Sequence, residues 1–149
     1  MTLSFIGSVC LLRHPEEAES QWLTIWNEAR RRLDFITAER LHGDSFRECI
    51  DREIGWVLDL RRGKEYIVSS QARLHLEIPD ESGEHIHVIE FFVSDLYGKG
   101  GRSAVLGNPS VHWLTGAEIS GGESRDGLPL NALHMEWLLR ADVIPRHQS

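Results

Sequence analysis

Ser45 to Leu58 reads as one helix, preceded by Asp44 and carrying Glu48, Asp51, Arg52 and Glu53, and side chains of these types can hold a cation or a phosphate. Mg2+ is a hard cation that takes oxygen ligands. A helix offering several carboxylates from one face could hold it beside a phosphoryl group, polarise that group and activate water. Glu53, Trp56 and Val57 are spaced three and four apart and must share a face. That face offers one carboxylate beside two apolar side chains, so Mg2+ held by Glu53 alone would be bound weakly. Glu48, Asp51 and Asp59 project from the other side and read as solvated surface.

The elements that must position these residues are legible in part. Ser45 can cap the helix with Glu48 three residues later, and Phe46, Ile50, Ile54 and Val57 form its apolar stripe. Leu3 to Leu12 and Tyr66 to Ser69 read as strands. From Ala72 to Ile78 the alternation is strict, with Ala72, Leu74, Leu76 and Ile78 on one face and Arg73, His75 and Glu77 on the other. A turn from Pro79 to Gly83 then leads into His85 to Val93, as in an antiparallel hairpin. Gln21 to Leu33 fits a helical stripe and an alternating strand equally well. Gly98 to Gly107 is expected to be a mobile glycine-rich loop, followed by a strand at Val111 to Leu114. After a loop from Ser120 to Gly127, Pro129 marks the first turn of a last helix that buries Leu130, Leu133, Trp137 and Leu138.

The stretch from Phe35 through Ala38, Gly43, Asp44 and Ser45, continuing through Arg52-Glu53-Ile54 to Leu60, resembles the Nudix box. Its spacing is kept: Gly43-Asp44 stands for the usual Gly-Glu, Ser45 to Asp51 is the seven-residue spacer, and Arg52-Glu53-Ile54 matches directly. Its content is partly lost. Ala38 stands where the first glycine is expected, Trp56 and Val57 replace the paired glutamates, and Asp59 replaces the late glycine. The resemblance extends to Trp113-Leu114-Thr115-Gly116-Ala117-Glu118-Ile119, similar to the family's late strand and its turn into a short helix.

The resemblance implies an α/β (α+β) fold, a Nudix-like α/β/α sandwich with a mixed central sheet, and places two strands before the box, which assigns Trp22 to Trp26 to β structure. It also implies hydrolysis of a nucleoside diphosphate linked to another moiety, with Mg2+ held by glutamates of the box helix. Carried over residue by residue, Glu53 is the inherited catalytic and metal residue, while Arg52 and Asp44 keep the preceding loop in shape. Trp56 projects toward the former metal site and fills it, or else packs under the 98–107 loop or at a homodimer contact. The expected protein is therefore a catalytically impaired one that binds a nucleotide-like small ligand or a protein partner, with Trp56, Arg40, Arg73 and Glu90 as its binding residues.

Two other readings stay open. An active hydrolase could recruit replacement ligands from Glu90, Glu118, or Glu123 to Asp126, with Glu53. A cupin-like metalloprotein could centre on His85 and His87, which point the same way on a strand; Glu90 falls on the opposite face unless a bulge intervenes.

Composition bounds the rest. A chain of 149 residues is expected to form one domain, 1–149. Its net charge of -7 and scattered Lys and Arg do not suggest a nucleic-acid surface, and an anionic ligand would need local help from Arg40, Arg52, Arg61, Arg62 or Arg73. Cys10 and Cys49 read as buried thiols in a reducing compartment. No apolar run reaches membrane-spanning length and the start does not read as a secretory signal, so a soluble cytoplasmic protein is expected.

Overall fold

A computed structural model describes residues 2–80 and 82–144 of the chain; Glu81, in the turn expected from Pro79 to Gly83, lies outside them. The first elements are β1 (Thr2–Leu12), β2 (Gln21–Asn27), β3 (Arg32–Asp34), β4 (Thr37–Glu39) and α1 (Phe46–Leu58). They are followed by β5 (Tyr66–Val68), β6 (Leu74–Pro79), β7 (His85–Leu96), α2 (Gly98–Leu106), β8 (Val111–Thr115), α3 (Gly116–Gly121) and α4 (Ala132–Arg140). The class is α+β with a mixed sheet, as expected. The chain divides into two compact units, one of Met1–Leu12 with Ile36–Asn108 and one of Arg13–Phe35 with Pro109–Ser149.

In the first unit the sheet runs β4-β1-β7-β5, and β6 also pairs with β7. The β1·β7 pair is parallel and the others are antiparallel. β7 can serve three partners because it is long: β6 takes Ile86 to Phe91 and β5 takes Ser94 to Leu96 on the side away from β1. The helix α1 buries Cys49, Ile50, Ile54 and Leu58. Ser45 caps it as expected: the Ser45 hydroxyl accepts from the Glu48 N–H and the Glu48 carboxylate accepts from the Ser45 N–H. Arg47 donates to the carbonyls of Val68 and Ser69 at 2.8 and 3.0 Å, which uses backbone acceptors that β5 leaves unpaired. Gly55 leaves room for Tyr66, whose hydroxyl donates to the Asp51 carbonyl at 2.5 Å; a Cβ at Gly55 would lie 2.8 Å from that oxygen.

The segment 98–107 is a correction, since it forms α2 rather than a loop. Gly101 is buried, and a Cβ there would strike the Glu65 carbonyl 2.5 Å away. The glycines that weaken local helix propensity are thus what lets this helix approach the chain at Glu65, while Val105 buries its apolar side.

The second unit holds the sheet β3-β2-β8. The ambiguous stretch resolves as a β2–β3 hairpin, with Ile25 opposite Asp34 and Asn27 opposite Arg32. Trp22, Leu23 and Thr24 are all buried, so burial on both faces blurred the strand's alternation. The last helix is also corrected. It begins at Ala132 behind Asn131, whose side chain accepts from the His134 N–H, and Pro129 lies before it in a bridge to Glu123. Its buried face is Met135, Leu138 and Leu139, with Leu133 and Trp137 only half-buried.

The two ends of α1 give opposite expectations. Ser45→Ala removes a hydrogen-bonded cap and should cost about 1 kcal/mol. At the other end Asp59 closes the helix at φ 53°, in the left-handed region. Asp59→Gly should therefore raise stability by about 1 kcal/mol. Urea denaturation of both variants checks the pair.

Candidate functional site

The loop before α1 is held by ionic contacts. Arg52 forks onto Asp44, Nη1 to Oδ1 at 3.0 Å and Nη2 to Oδ2 at 2.8 Å, and Asp44 Oδ2 also accepts from the Leu41 N–H at 3.1 Å. The Arg52 guanidinium holds the Asp44 carboxyl below its ordinary range. Arg52 and Asp44 thus stand as a loop-holding pair.

The face expected to carry chemistry is open and sparse. Glu53 and Val57 are half-buried and Trp56 is 83 % exposed. A side chain that exposed fills no former metal site and packs under no loop, which corrects the expectation for Trp56. Nor does Glu53 pair with arginine. It makes no hydrogen bond or ion pair among the described residues, because the nearby guanidinium of Arg52 is committed to Asp44. Cys49 is buried, and burial pushes its thiol above the ordinary value. Asp51 is not simple solvated surface either: it lies 3.7 Å from Arg47 and 3.9 Å from Arg62.

Mg2+ takes six oxygens, commonly one or two from carboxylates and the rest from water or a bound phosphate. Among the described residues, no three His, Cys, Asp or Glu side chains gather into a set that could hold a metal ion. Glu53 belongs to no such set among the described residues. Among the candidate replacement ligands, Glu118 already has partners. Both oxygens of Glu118 are engaged, Oε1 with Thr115 in a capping box and Oε2 with the Arg125 N–H at 2.8 Å.

Two of the expected binding residues do come together, through two that sequence reasoning missed. Arg40 lies over the Phe46 ring at 4.7 Å, the Phe46 ring meets His75 edge-on at 6.2 Å, and His75 Nδ1 lies 2.8 Å from Glu90 Oε2. Arg73 precedes His75 by two, just before the start of β6, and its side chain has no partner among the described residues. Only the register placing His75 opposite Glu90 brings Glu90 here, and register was the signal the sequence lacked. Glu90 turns to His75, with which it is paired in an unbroken β6·β7 register, and His87 packs against the Phe5 ring at 5.6 Å, so Glu90 does not join His85 and His87. Trp56 stays apart from this cluster, ten residues along α1 from Phe46.

Protein-family models and curated proteins give no match to this chain. Solved structures do. The chain is similar to the Ap4A hydrolase of C. elegans, with TM-score 0.61 and 11 % identity over 96 % of this chain and 97 % of that one. It is similar to a mutT/nudix family protein from Listeria innocua, with TM-score 0.63 and 12 % identity over 96 % and 94 %. The chain has the Nudix fold.

A third similarity is to NrtR of Shewanella oneidensis complexed with a 27mer DNA, at TM-score 0.61 and 9 % identity, where 90 % of this chain spans 58 % of that protein's length. Asp59, standing for the late glycine, retains the left-handed conformation that glycine favours. No helix among the described residues is long and apolar enough to cross a membrane.

The His75–Glu90 contact predicts a pH dependence. The Glu90 carboxylate raises the His75 pKa above its ordinary value of 6.5. A raised histidine stabilises the fold fully below that ordinary value and loses the contribution as pH rises through the folded value. Glu90→Gln should move the His75 titration down toward 6.5, read by NMR. The stability gap between wild type and variant should be widest in acid and close on the alkaline side.

Proposed function

We propose that this chain is a Nudix-fold binding protein whose metal-dependent hydrolysis is impaired and which takes a nucleotide-like small ligand. The observation that carries the reading is the single carboxylate, Glu53, on a helical face otherwise made of exposed Trp56 and half-buried Val57. One carboxylate can neither neutralise nor encircle a divalent cation, and the activated water that such a cation supplies is then missing.

Ligand binding on the first unit falls to the surface around Phe46 and His75. The chain carries a net charge of -7, so phosphates need cations free of carboxylate partners. Arg52 is paired with Asp44, and Arg61 lies 3.5 Å from Glu65. Arg73 has no carboxylate partner and Arg40 rests on an aromatic ring. Arg73 and Arg40 supply the phosphate contacts, with Phe46 as an apolar neighbour and Glu90, through His75, setting the local charge. A cytoplasmic setting, where nucleotides abound, fits this reading.

The test has two arms. Incubation with nucleoside diphosphate sugars, dinucleoside polyphosphates and oxidised nucleotides in the presence of Mg2+ or Mn2+ should give no turnover above background, and metal-dependent turnover would sink the proposal. Calorimetric titration with ADP should show binding that weakens about tenfold in the Arg40→Gln, Arg73→Gln double variant, the loss of two charge-assisted contacts. Binding indifferent to that variant would remove the assigned surface.

A further inference from the structure

The second unit carries an open groove of about 580 Å3, a volume typical of small-ligand sites. His14, Gln21 and Trp113 line it together with Glu17, Arg125 and Asp126. Leu23 stands opposite Trp113 and Gln21 opposite Thr115 in the β2·β8 pair, so Gln21 and Trp113 share one face of that sheet. Trp113 is half-buried and braced by the His14 ring at 4.5 Å, tilted by 56°. His14 is itself fixed, since its Nδ1 accepts from the backbone N–H groups of Glu16 and Glu17 at 3.1 and 3.3 Å. The groove thus holds an aromatic surface set in place by two backbone hydrogen bonds.

Its polar lining has one sign to spare. Arg125 is matched to Glu118, which also lines the groove: the Arg125 N–H donates to Oε2 at 2.8 Å and its guanidinium lies 3.9 Å from Oε1. Glu17 and Asp126 remain, both exposed, their carboxylates without a hydrogen bond or ion pair among the described residues. The Gln21 side chain is likewise unengaged there and adds an amide oxygen.

From this combination we infer that the groove binds the guanidinium group of a small ligand. A guanidinium is planar, so it can lie on an indole ring while its in-plane N–H groups reach carboxylate and amide oxygens, and it is weakly hydrated enough to leave water for such a surface. A compact ammonium ion is more strongly hydrated and has no plane to lay on the ring. An anionic ligand meets two uncompensated carboxylates and is repelled. This site is independent of the nucleotide-like ligand assigned to the first unit.

Agmatine and a blocked Gly-Arg-Gly peptide are the probes, and cadaverine is the ammonium comparison. Titration is followed through the Trp113 indole N–H resonance, assigned by Trp113→Phe. Agmatine should shift it saturably at millimolar concentration, bind more tightly than cadaverine, and lose affinity with added salt. The Glu17→Gln, Asp126→Asn double variant should weaken agmatine about tenfold, while Glu84→Gln, which removes one carboxylate from the other unit, should not. Equal binding of the blocked peptide assigns the groove to arginine side chains, and its exclusion assigns it to free guanidines. No saturable shift of the Trp113 resonance with either probe, or agmatine binding that ignores the double variant, would overturn the inference.

Discussion

The buried stripe of α1 is the constraint from which the rest of this site follows. Cys49, Ile50, Ile54 and Leu58 are withdrawn from water, so the rotation of the helix is fixed and every other position on it has no freedom to choose its surroundings. Glu53, Trp56 and Val57 come out on the accessible side whatever their chemistry. A family that places carboxylates at these positions uses the same stripe to aim them, and the aim persists here with one carboxylate left to be aimed.

The polar contacts around the helix show why frame and chemistry separate. The Ser45–Glu48 cap, the Arg52–Asp44 fork and the Arg47 bonds to the Val68 and Ser69 carbonyls involve neither Glu53 nor Trp56. Asp59 keeps the left-handed turn at a conformational cost that glycine would not incur.

How much was legible in the sequence depends on how local the determinants were. The α1 cap, Ile50 and Ile54 of its stripe, the two buried thiols and the turn into α3 rest on nearby residues and are where the sequence placed them, whereas the helix buries Cys49 and Leu58 in place of the expected Phe46 and Val57, which are half-buried. The α2 helix was hidden because its glycines serve a contact with Glu65, more than thirty residues away in the chain. The Phe46–His75–Glu90 cluster was hidden because it depends on a cross-strand register, and the groove at Trp113 because it joins residues from β2, β8 and the loop after α3. Trp56 was misjudged for the opposite reason. Its neighbours were read correctly, but a face with a single carboxylate was assumed to be filled, and the structure leaves it open to water.

The most direct measurement is a calorimetric titration of the wild-type chain with Mn2+, repeated on Glu53→Gln and on a Trp56→Glu, Val57→Glu double variant. The account predicts no saturable binding to the first two and saturable binding to the third, because the scaffold already aims those positions. Saturable Mn2+ binding to the wild type that disappears in Glu53→Gln would contradict it.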